Sequence, residues 1–192
     1  PEAESGQPLW VDCSLDTHAA EIRSGVCVQN DMVESTVHST SRILPCCALP
    51  SVDVSLKRAH LAVPVAVRET YLLARAAGVN LGPAFRIVTR AWRTSDSLVG
   101  MLRRRRSWHE SHLHPADLDS GMFMVPSAFS SNEERQSLPI SVGKATLHGV
   151  AGDRWLTGGR SSQGYDFVVV HKQKACAEVQ GYILRPFSMK KA

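Results

Sequence analysis

Asp119 is the residue of this chain whose type and setting best suit acid–base chemistry. It ends the segment His-Pro-Ala-Asp-Leu-Asp (114–119) and leads into the mostly apolar stretch 120–125, which has a helical pattern. A carboxylate that faces apolar packing loses solvation as the anion, so its pKa rises and it can donate a proton near neutral pH. The alternative is an ordinary first-turn aspartate that the helix dipole stabilises. The local pattern leaves both interpretations open.

Several metal-ligating side chains lie close to this carboxylate in sequence. They are His109, Glu110, His112, His114, Asp117 and Asp119. Zinc would need imidazoles spaced i,i+4 on a helix or i,i+2 on a strand. His112 and His114 have the strand spacing, but His114 precedes a proline at an expected helix start. We therefore predict no metal site.

A basic run of four arginines is the second chemical feature of the chain. It comprises Arg103, Arg104, Arg105 and Arg106. Contacts with nucleic-acid phosphates would favour interleaved aromatic residues or a recognition helix, and the run has neither. A solvated strand end is the simpler interpretation, so we predict no nucleic-acid partner.

The composition is that of a soluble globular protein. The 192 residues are 43% hydrophobic and 21% charged, with a net charge of +4. No apolar run is long enough to span a bilayer, so we predict no membrane partner. The five cysteines show no CxxC spacing and indicate reduced thiols in a cytoplasmic protein. The start, 1–5, has neither Met nor a targeting signal, which suggests a piece of a longer protein.

The elements that must position Asp119 follow from hydrophobic periodicity and turn residues. We predict strands at 9–15, 25–28, 35–44, 85–93, 97–104, 140–150, 165–171 and 175–184. Helices are predicted at 67–77 and from 114 to 125, and the Gly-rich stretch 156–162 is predicted to be a flexible hairpin connection. Prolines at 45, 50 and 64 interrupt a linker. This pattern predicts an α+β fold, a curved antiparallel sheet wrapped around a helix.

Short motifs in a fixed order resemble the dehydratase domain of modular polyketide synthases. That family has a Gly-Tyr-x-Tyr-Gly-Pro-x-Phe turn after a helix, then His-Pro-x-x-x-Asp, Leu-Pro-x-Ser and Leu-Arg-Pro. The matching residues here are Tyr71, Gly78, Gly82-Pro83-Ala84-Phe85, Leu113-His114-Pro115, Asp119, Leu138-Pro139-Ile140-Ser141, Leu147-His148 and Leu184-Arg185-Pro186. The resemblance covers residues 67–187, and Val37-His38 through Pro45 fits the end of the preceding domain half.

The resemblance implies a partial double hotdog fold. Residues 1–45 would be the last strands of the first hotdog, 46–66 a linker, 67–188 the second hotdog and 189–192 a tail. Homodimers formed through sheet edges would be compatible with such a fold.

The resemblance also implies a reaction, the elimination of water from a 3-hydroxyacyl chain carried on the phosphopantetheine arm of an acyl carrier protein. Asp119 would be the general acid. Asp117 is excluded by its spacing from His114-Pro115. By motif position, the residues lining the acyl tunnel would be Phe85, Leu113, Pro115, Met122 and Phe123, and the residues shaping the motifs would be Gly82, Pro83 and His114. No dissociable cofactor is expected.

Three departures from the family pattern bear on activity. The family's basic histidine lies in a His-x-x-x-Gly-x-x-x-x-Pro motif, which this sequence lacks, so we expect no dehydration from these residues alone. Phe123 replaces the Gln or His that commonly follows the aspartate by four residues. Val79 and Leu81 replace the two tyrosines of the turn. The alternative is therefore an inactive or double-bond-shifting domain with a structural role.

The implied partners are the acyl carrier protein and neighbouring synthase domains. Carrier proteins are typically acidic, and their prosthetic arm bears a phosphate. The run Arg103–Arg106 could therefore help to dock one.

Overall fold

The computed structural model describes residues 9–16, 19–28, 31–43, 51–61, 63–76, 78–103, 113–129, 137–147 and 154–186. They belong to two compact units, a smaller unit, Pro1–Cys47, and a larger unit, Ala48–Ala192.

The smaller unit contains a three-stranded antiparallel sheet in the order β1-β2-β3. Its strands are β1 (Leu9–Leu15), β2 (Ala19–Val28) and β3 (Asp31–Arg42). Asp16 closes the first connection, because its carboxylate accepts a hydrogen bond from the Ala19 amide at 2.7 Å and its own amide donates to the Ala19 carbonyl at 3.0 Å. The first predicted strand has the correct bounds, whereas the second begins six residues earlier than predicted and the third four residues earlier.

The larger unit contains a seven-stranded sheet in the order β4-β5-β6-β8-β9-β10-β7, and all its neighbouring strands are antiparallel. In chain order its elements are α1 (Val54–Ala59), β4 (Val63–Val65), α2 (Val67–Ala76), β5 (Val88–Arg93), β6 (Ser97–Leu102), α3 (Pro115–Phe129), β7 (Ser137–Leu147), β8 (Trp155–Ser161), β9 (Gly164–His171) and β10 (Lys174–Pro186). The predicted α+β class is therefore confirmed.

Helix α3 is the element around which the core of this unit forms. It packs against β6, β8 and β9, and its buried residues include Met124 and Val125, which join Leu156 and Phe167 in one hydrophobic cluster. The approach is close at Gly121, where a Cβ atom would lie 2.3 Å from the Phe167 ring. The sheet therefore fixes both the depth and the rotation of α3.

Two side chains cap the first turn of α3. The His114 ring accepts a hydrogen bond from the Ala116 amide at 3.0 Å, and the Asp117 carboxylate accepts one from the His114 amide at 3.2 Å. These reciprocal bonds satisfy backbone donors that a helix start otherwise leaves unpaired. Pro115 is the first helical residue, where its missing N–H costs nothing.

Helix α2 ends as its sequence predicts. Gly78 adopts a φ of 89°, and the amides of Gly78 and Val79 donate to the carbonyls of Arg75 and Ala74 at 3.0 and 2.9 Å. Glycine takes this left-handed conformation without the steric cost of a Cβ atom. The chain then enters the turn at Gly82, whose carbonyl accepts from the Phe85 amide at 2.9 Å.

Two regular elements occur inside the predicted linker. Helix α1 begins after Asp53, whose side chain accepts a hydrogen bond from the Leu56 amide at 2.9 Å, and it buries Val54. Strand β4 contains Pro64 and, among the described strands, pairs only with β5. An edge strand tolerates proline because one row of its amides faces away from the ladder.

Strand β8 corrects the prediction of a flexible connection at 156–162. Leu156 and Thr157 are buried, and a Cβ atom on Gly158 would lie 2.5 Å from the Asp166 carbonyl oxygen. The glycines therefore allow close packing in a strand rather than a loose turn. Among the described residues, no helix is both long enough and apolar enough to cross a bilayer.

Candidate active site

An apolar cavity of about 200 Å³ lies in the larger unit, with Asp119 in its wall. Helices α2 and α3, the 79–81 connection and strands β7 and β10 supply the lining. The lining residues are Thr70, Leu73, Ala74, Val79, Leu81, Asp119, Met122, Phe123, Pro126, Ser127, Ser137, Pro139, Tyr182 and Leu184.

The residues that α3 contributes to the cavity recur at helical spacing. Asp119, Met122, Phe123, Pro126 and Ser127 follow the i, i+3, i+4, i+7, i+8 pattern of a single helix face. We call these five residues the cavity face of α3. The sheet holds the opposite side of the helix, so the cavity face has a fixed orientation.

Asp119 is a half-buried carboxylate with an unsatisfied oxygen. Its Oδ2 atom is buried and has no hydrogen-bond partner among the described residues. Burial raises the pKa of the Asp119 carboxyl above its usual value, because the anion loses solvation. Since the first-turn acidic residue of α3 is Asp117, the interpretation of Asp119 as a first-turn aspartate is wrong. The setting favours a protonated carboxyl group that can donate into the cavity.

Two tyrosines lie close enough to Asp119 for its charge to affect their pKa values. Burial and, to a smaller extent, the charge of Asp119 together raise the pKa of Tyr182 to about 12. Burial also raises the pKa of Tyr71, with a smaller contribution from Asp119. The Tyr71 hydroxyl accepts a hydrogen bond from the Val88 amide at 3.3 Å. Both phenols therefore stay neutral around the carboxyl group.

Phe123 occupies the position one turn after Asp119. Its ring stacks on Tyr71 with 5.4 Å between centroids and 11° between planes. This contact fixes the Phe123 ring but offers the carboxyl group no hydrogen bond.

Asp117 has a different environment on the same helix. Its side chain is buried, forms an ion pair with Arg154 and accepts the His114 amide. Its charge is thus compensated on both sides, and it holds the helix start in place. Asp117 does not line the cavity.

The five residues predicted to line an acyl tunnel fall into two groups. Met122 and Phe123 line the cavity, whereas Phe85, Leu113 and Pro115 do not. Phe85 is 37% exposed and meets the His114 ring edge-on at 6.5 Å. Leu113 packs against the core cluster, and Pro115 starts α3. The three motif residues Gly82, Pro83 and His114 lie at the turn and the helix cap.

Sequence reasoning did not identify several lining residues. In the sequence, Val79 and Leu81 stand out only because they replace the two tyrosines of the family turn, yet both line the cavity and make it more apolar. Tyr182 lies in β10, far along the chain from α3, and no motif marked it. The alternation of β10 offered the only available signal, because it places Tyr182 and Leu184 on one face.

The described residues contain no group of three or more His, Cys, Asp or Glu side chains that could hold a metal ion. Of the residues considered for such a site, His109, Glu110 and His112 lie outside the described residues. In the arginine run, Arg103 follows β6, and Arg104, Arg105 and Arg106 also lie outside the described part.

A family model described as "Polyketide synthase dehydratase N-terminal domain" matches residues 50–192. The chain belongs to the polyketide synthase dehydratase family. Dehydration of 3-hydroxyacyl intermediates is the role of such domains, and they work alongside other domains of the synthase. A comparison with curated protein sequences gives no match.

Solved dehydratase domains share the fold of this chain. The dehydratase of the CurF module of curacin polyketide synthase has a TM-score of 0.71 at 16% identity, covering 94% of this chain and 68% of its own. An inactive CurK dehydratase variant with aspartate replaced by asparagine has a TM-score of 0.73 at 15% identity and the same coverages. A trans-AT polyketide synthase dehydratase from Brevibacillus brevis has a TM-score of 0.73 at 18% identity, covering 88% and 65%. The predicted hotdog fold is confirmed.

Proposed function

We propose that Asp119 is the general acid in the elimination of water from a 3-hydroxyacyl thioester. A base removes the proton from the carbon next to the thioester carbonyl, the electron pair forms the carbon–carbon double bond, and the bond from C3 to its hydroxyl breaks. Asp119 gives its proton to the departing hydroxyl, which leaves as water. The product is the α,β-enoyl thioester.

The observation that carries this proposal is the environment of the Asp119 carboxyl group. Its Oδ2 atom is buried without a partner among the described residues, in a cavity lined mainly by apolar side chains. Such a carboxyl group retains its proton to higher pH than an exposed one and can use it in the transition state. The thioester already acidifies the neighbouring carbon, so the proposed reaction uses no metal or dissociable cofactor.

Two CurK dehydratase variants support a pair of catalytic side chains. One has an aspartate replaced by asparagine and the other a histidine replaced by phenylalanine, and both are described as inactive. By analogy, we assign the acid half of the pair to Asp119. The seven-stranded unit would then be the second hotdog. The histidine motif of the family does not occur in this sequence, so no residue of the sequence is assigned as the base.

The substrate in this proposal arrives on the phosphopantetheine arm of an acyl carrier protein. The apolar lining from Leu73, Val79, Leu81 and Leu184 suits the hydrocarbon part of an acyl chain. We place the reaction in the cytoplasm, because Cys176 is a buried free thiol, as expected of a protein in a reducing compartment.

The stack of Phe123 on Tyr71 favours a second function, a dehydratase-like domain without dehydration activity. A glutamine or histidine at position 123 could hold the carboxyl group in one orientation, whereas phenylalanine cannot. In that case, the domain would have a structural role or shift a double bond.

One experiment distinguishes the two functions. The complete synthase protein that contains these residues is incubated with an acyl carrier protein loaded with a 3-hydroxyacyl chain. Mass spectrometry that detects the loss of one water from the acyl chain would support the dehydratase function. Asp119→Asn should then lower the rate by about 100- to 10,000-fold. Asp96→Asn is the matched control, because Asp96 lies in the exposed β5–β6 turn, outside the cavity. Unchanged dehydration by Asp119→Asn would refute the assignment of the acid.

A further inference from the structure

A second, more polar depression lies beside the catalytic cavity. It is an open groove of about 560 Å³ whose lining includes four arginines: Arg68, Arg75, Arg86 and Arg103. Arg68 and Arg75 lie seven residues apart on α2 and so face the same side of that helix. Arg86 and Arg103 reach the groove from the start of β5 and the end of β6. We call this depression the arginine groove.

The positive charge of the arginine groove is not compensated by its lining. Among the described residues, no carboxylate lines the groove and no ion pair involves any of the four guanidinium groups. Arg103 instead donates to the Arg86 carbonyl at 3.4 Å. All four side chains are exposed and can reach a ligand. The four positive charges around one depression repel each other, and an anionic ligand would reduce this repulsion.

The arginine groove borders the catalytic cavity through two residues. Leu81 lines both depressions. Tyr71 lines the groove while its ring stacks on Phe123 of the cavity. The charges of Asp119, Arg103 and Arg86 all act on the Tyr71 hydroxyl. A molecule bound in the groove can therefore extend past Leu81 and Tyr71 towards the carboxyl group.

We propose that the arginine groove binds the phosphate of the phosphopantetheine arm while the acyl thioester occupies the cavity with Asp119. This inference rests on the proposed function. Guanidinium groups bind phosphate oxygens through paired, charge-assisted hydrogen bonds, and four of them offer a choice of pairs. Thr89 and Asn80 add neutral polar groups to the same wall. The groove thus fixes the charged end of the arm, and the cavity takes its apolar end.

This assignment extends the docking prediction for the basic run beyond Arg103. Three of the four arginines lie in other parts of the sequence, two on α2 and one after the Gly82 turn. Their side chains meet only because α2 packs beside β5.

The test compares two thioesters that differ only in the phosphate. The full chain is titrated with 3-hydroxybutyryl phosphopantetheine and with 3-hydroxybutyryl pantetheine, and binding is followed by calorimetry at low salt. We expect the phosphorylated thioester to bind about tenfold more tightly, and the advantage to shrink as sodium chloride screens the charges. Equal affinities would overturn the proposal.

Arginine variants test whether the groove is the source of this affinity advantage. Arg68→Gln/Arg75→Gln/Arg86→Gln should abolish the advantage, and Arg75→Gln alone, at an exposed helix position, should reduce it. Arg42→Gln/Arg90→Gln is the matched control, because both residues are exposed and neither lines the groove. Asp119→Asn should keep the full advantage, so a failure of the catalytic assignment leaves this test intact. A phosphate advantage that survives the triple substitution would refute the site.

Two further ligands test whether the groove binds free phosphate or an acidic protein surface instead of the arm. Inorganic phosphate that binds as tightly as the phosphorylated thioester would show a site for free phosphate and overturn the assignment to the arm. That assignment would also be wrong if the triple substitution weakened binding of a carrier protein lacking its arm as much as binding of one carrying it. The groove would then recognise the acidic protein surface.

Discussion

Asp117 and Asp119 lie two residues apart on helix α3 and have opposite surroundings. Asp117 is buried against Arg154 and the His114 amide, so its negative charge is compensated. Asp119 is half-buried on the cavity face, and its Oδ2 atom has no partner among the described residues. A helix turns by about 200° over two residues, which directs these side chains to different sides.

The difference shows how one helix can separate stability from chemistry. The side of α3 that meets the sheet carries close packing and a compensated carboxylate, which make the helix rigid. The cavity face carries a carboxyl group that the fold leaves uncompensated, and such a group has a raised pKa and a proton to give. In the proposed reaction, the rigid side of the helix would hold Asp119 in position.

The strongest test of this division is Asp117→Asn. It should lower the free energy of unfolding by about 3–5 kcal/mol, because Arg154 would remain buried opposite a neutral group. Chemical denaturation followed by circular dichroism measures the effect. Asp119→Asn is the control and should change stability by less than about 1 kcal/mol. Equal losses from both substitutions would remove the distinction between the two carboxylates.

Gly121→Ala tests the packed side of the helix. The new methyl group would lie 2.3 Å from the ring of Phe167, which is 1% exposed and cannot move into solvent. Overpacking costs about 1–3 kcal/mol, and the better helix propensity of alanine offsets only about 1 kcal/mol of it. We expect a net loss of up to about 2 kcal/mol in the free energy of unfolding, measured by thermal unfolding. Ser127→Ala, on the cavity face, should stay within about 0.5 kcal/mol; a comparable loss there would contradict the comparison.

Phe123→Gln tests whether the lack of a hydrogen-bond donor at position 123 contributes to the raised pKa of Asp119. The substitution removes the stack on Tyr71 and should cost about 1 kcal/mol of stability. An amide one turn after Asp119 can donate to its carboxylate, so the Asp119 pKa should fall towards its usual range. A carbon-13 NMR titration measures this pKa. Phe123→Leu removes the stack without adding a donor, and an equal pKa decrease in both variants would exclude the hydrogen bond as the cause.

The smallest expected effect is the pH dependence of stability. The pKa of Asp119 is raised in the folded state, so the contribution of this group to folding stability is fully present below the ordinary value of 3.8 and is lost as the pH rises through the folded-state pKa. Asp119→Asn should remove this decline. The measurement is the difference in unfolding free energy between the two proteins across this pH range. Parallel pH profiles would show that Asp119 has no raised pKa.

Elements with strong local signals were predictable. The apolar run Phe167–Val170 identified β9, and Gly78 marked the end of α2. Strand β8 was missed because Gly158-Gly159 is typical of a turn in sequence. Only the packing explains these glycines: Gly158 lies against the Asp166 carbonyl, and Gly159 lies against the Asp96 carbonyl. Helix α1 was missed because it is short and lies among prolines.

The candidate site was predictable where its residues share one element. Asp119, Met122 and Phe123 lie on one helical face, so spacing alone places them together. Tyr182 reaches the cavity from β10, and the arginines reach the groove from three segments of the chain. Both placements depend on the order of the strands in the sheet. Phe85, Leu113 and Pro115 are near the motif in sequence, yet they line the turn, the core and the helix start instead of the cavity.

The sequence by itself determined the α+β class, the helix that carries Asp119 and the family to which the chain belongs, because periodicity, caps and short motifs are local properties. The tertiary structure decided which of two neighbouring aspartates is compensated and which is left with an oxygen that no described residue pairs. It also decided that four arginines from three segments of the chain meet beside the cavity. These outcomes depend on desolvation and on long-range contacts, and both arise only when the sheet packs against its helices.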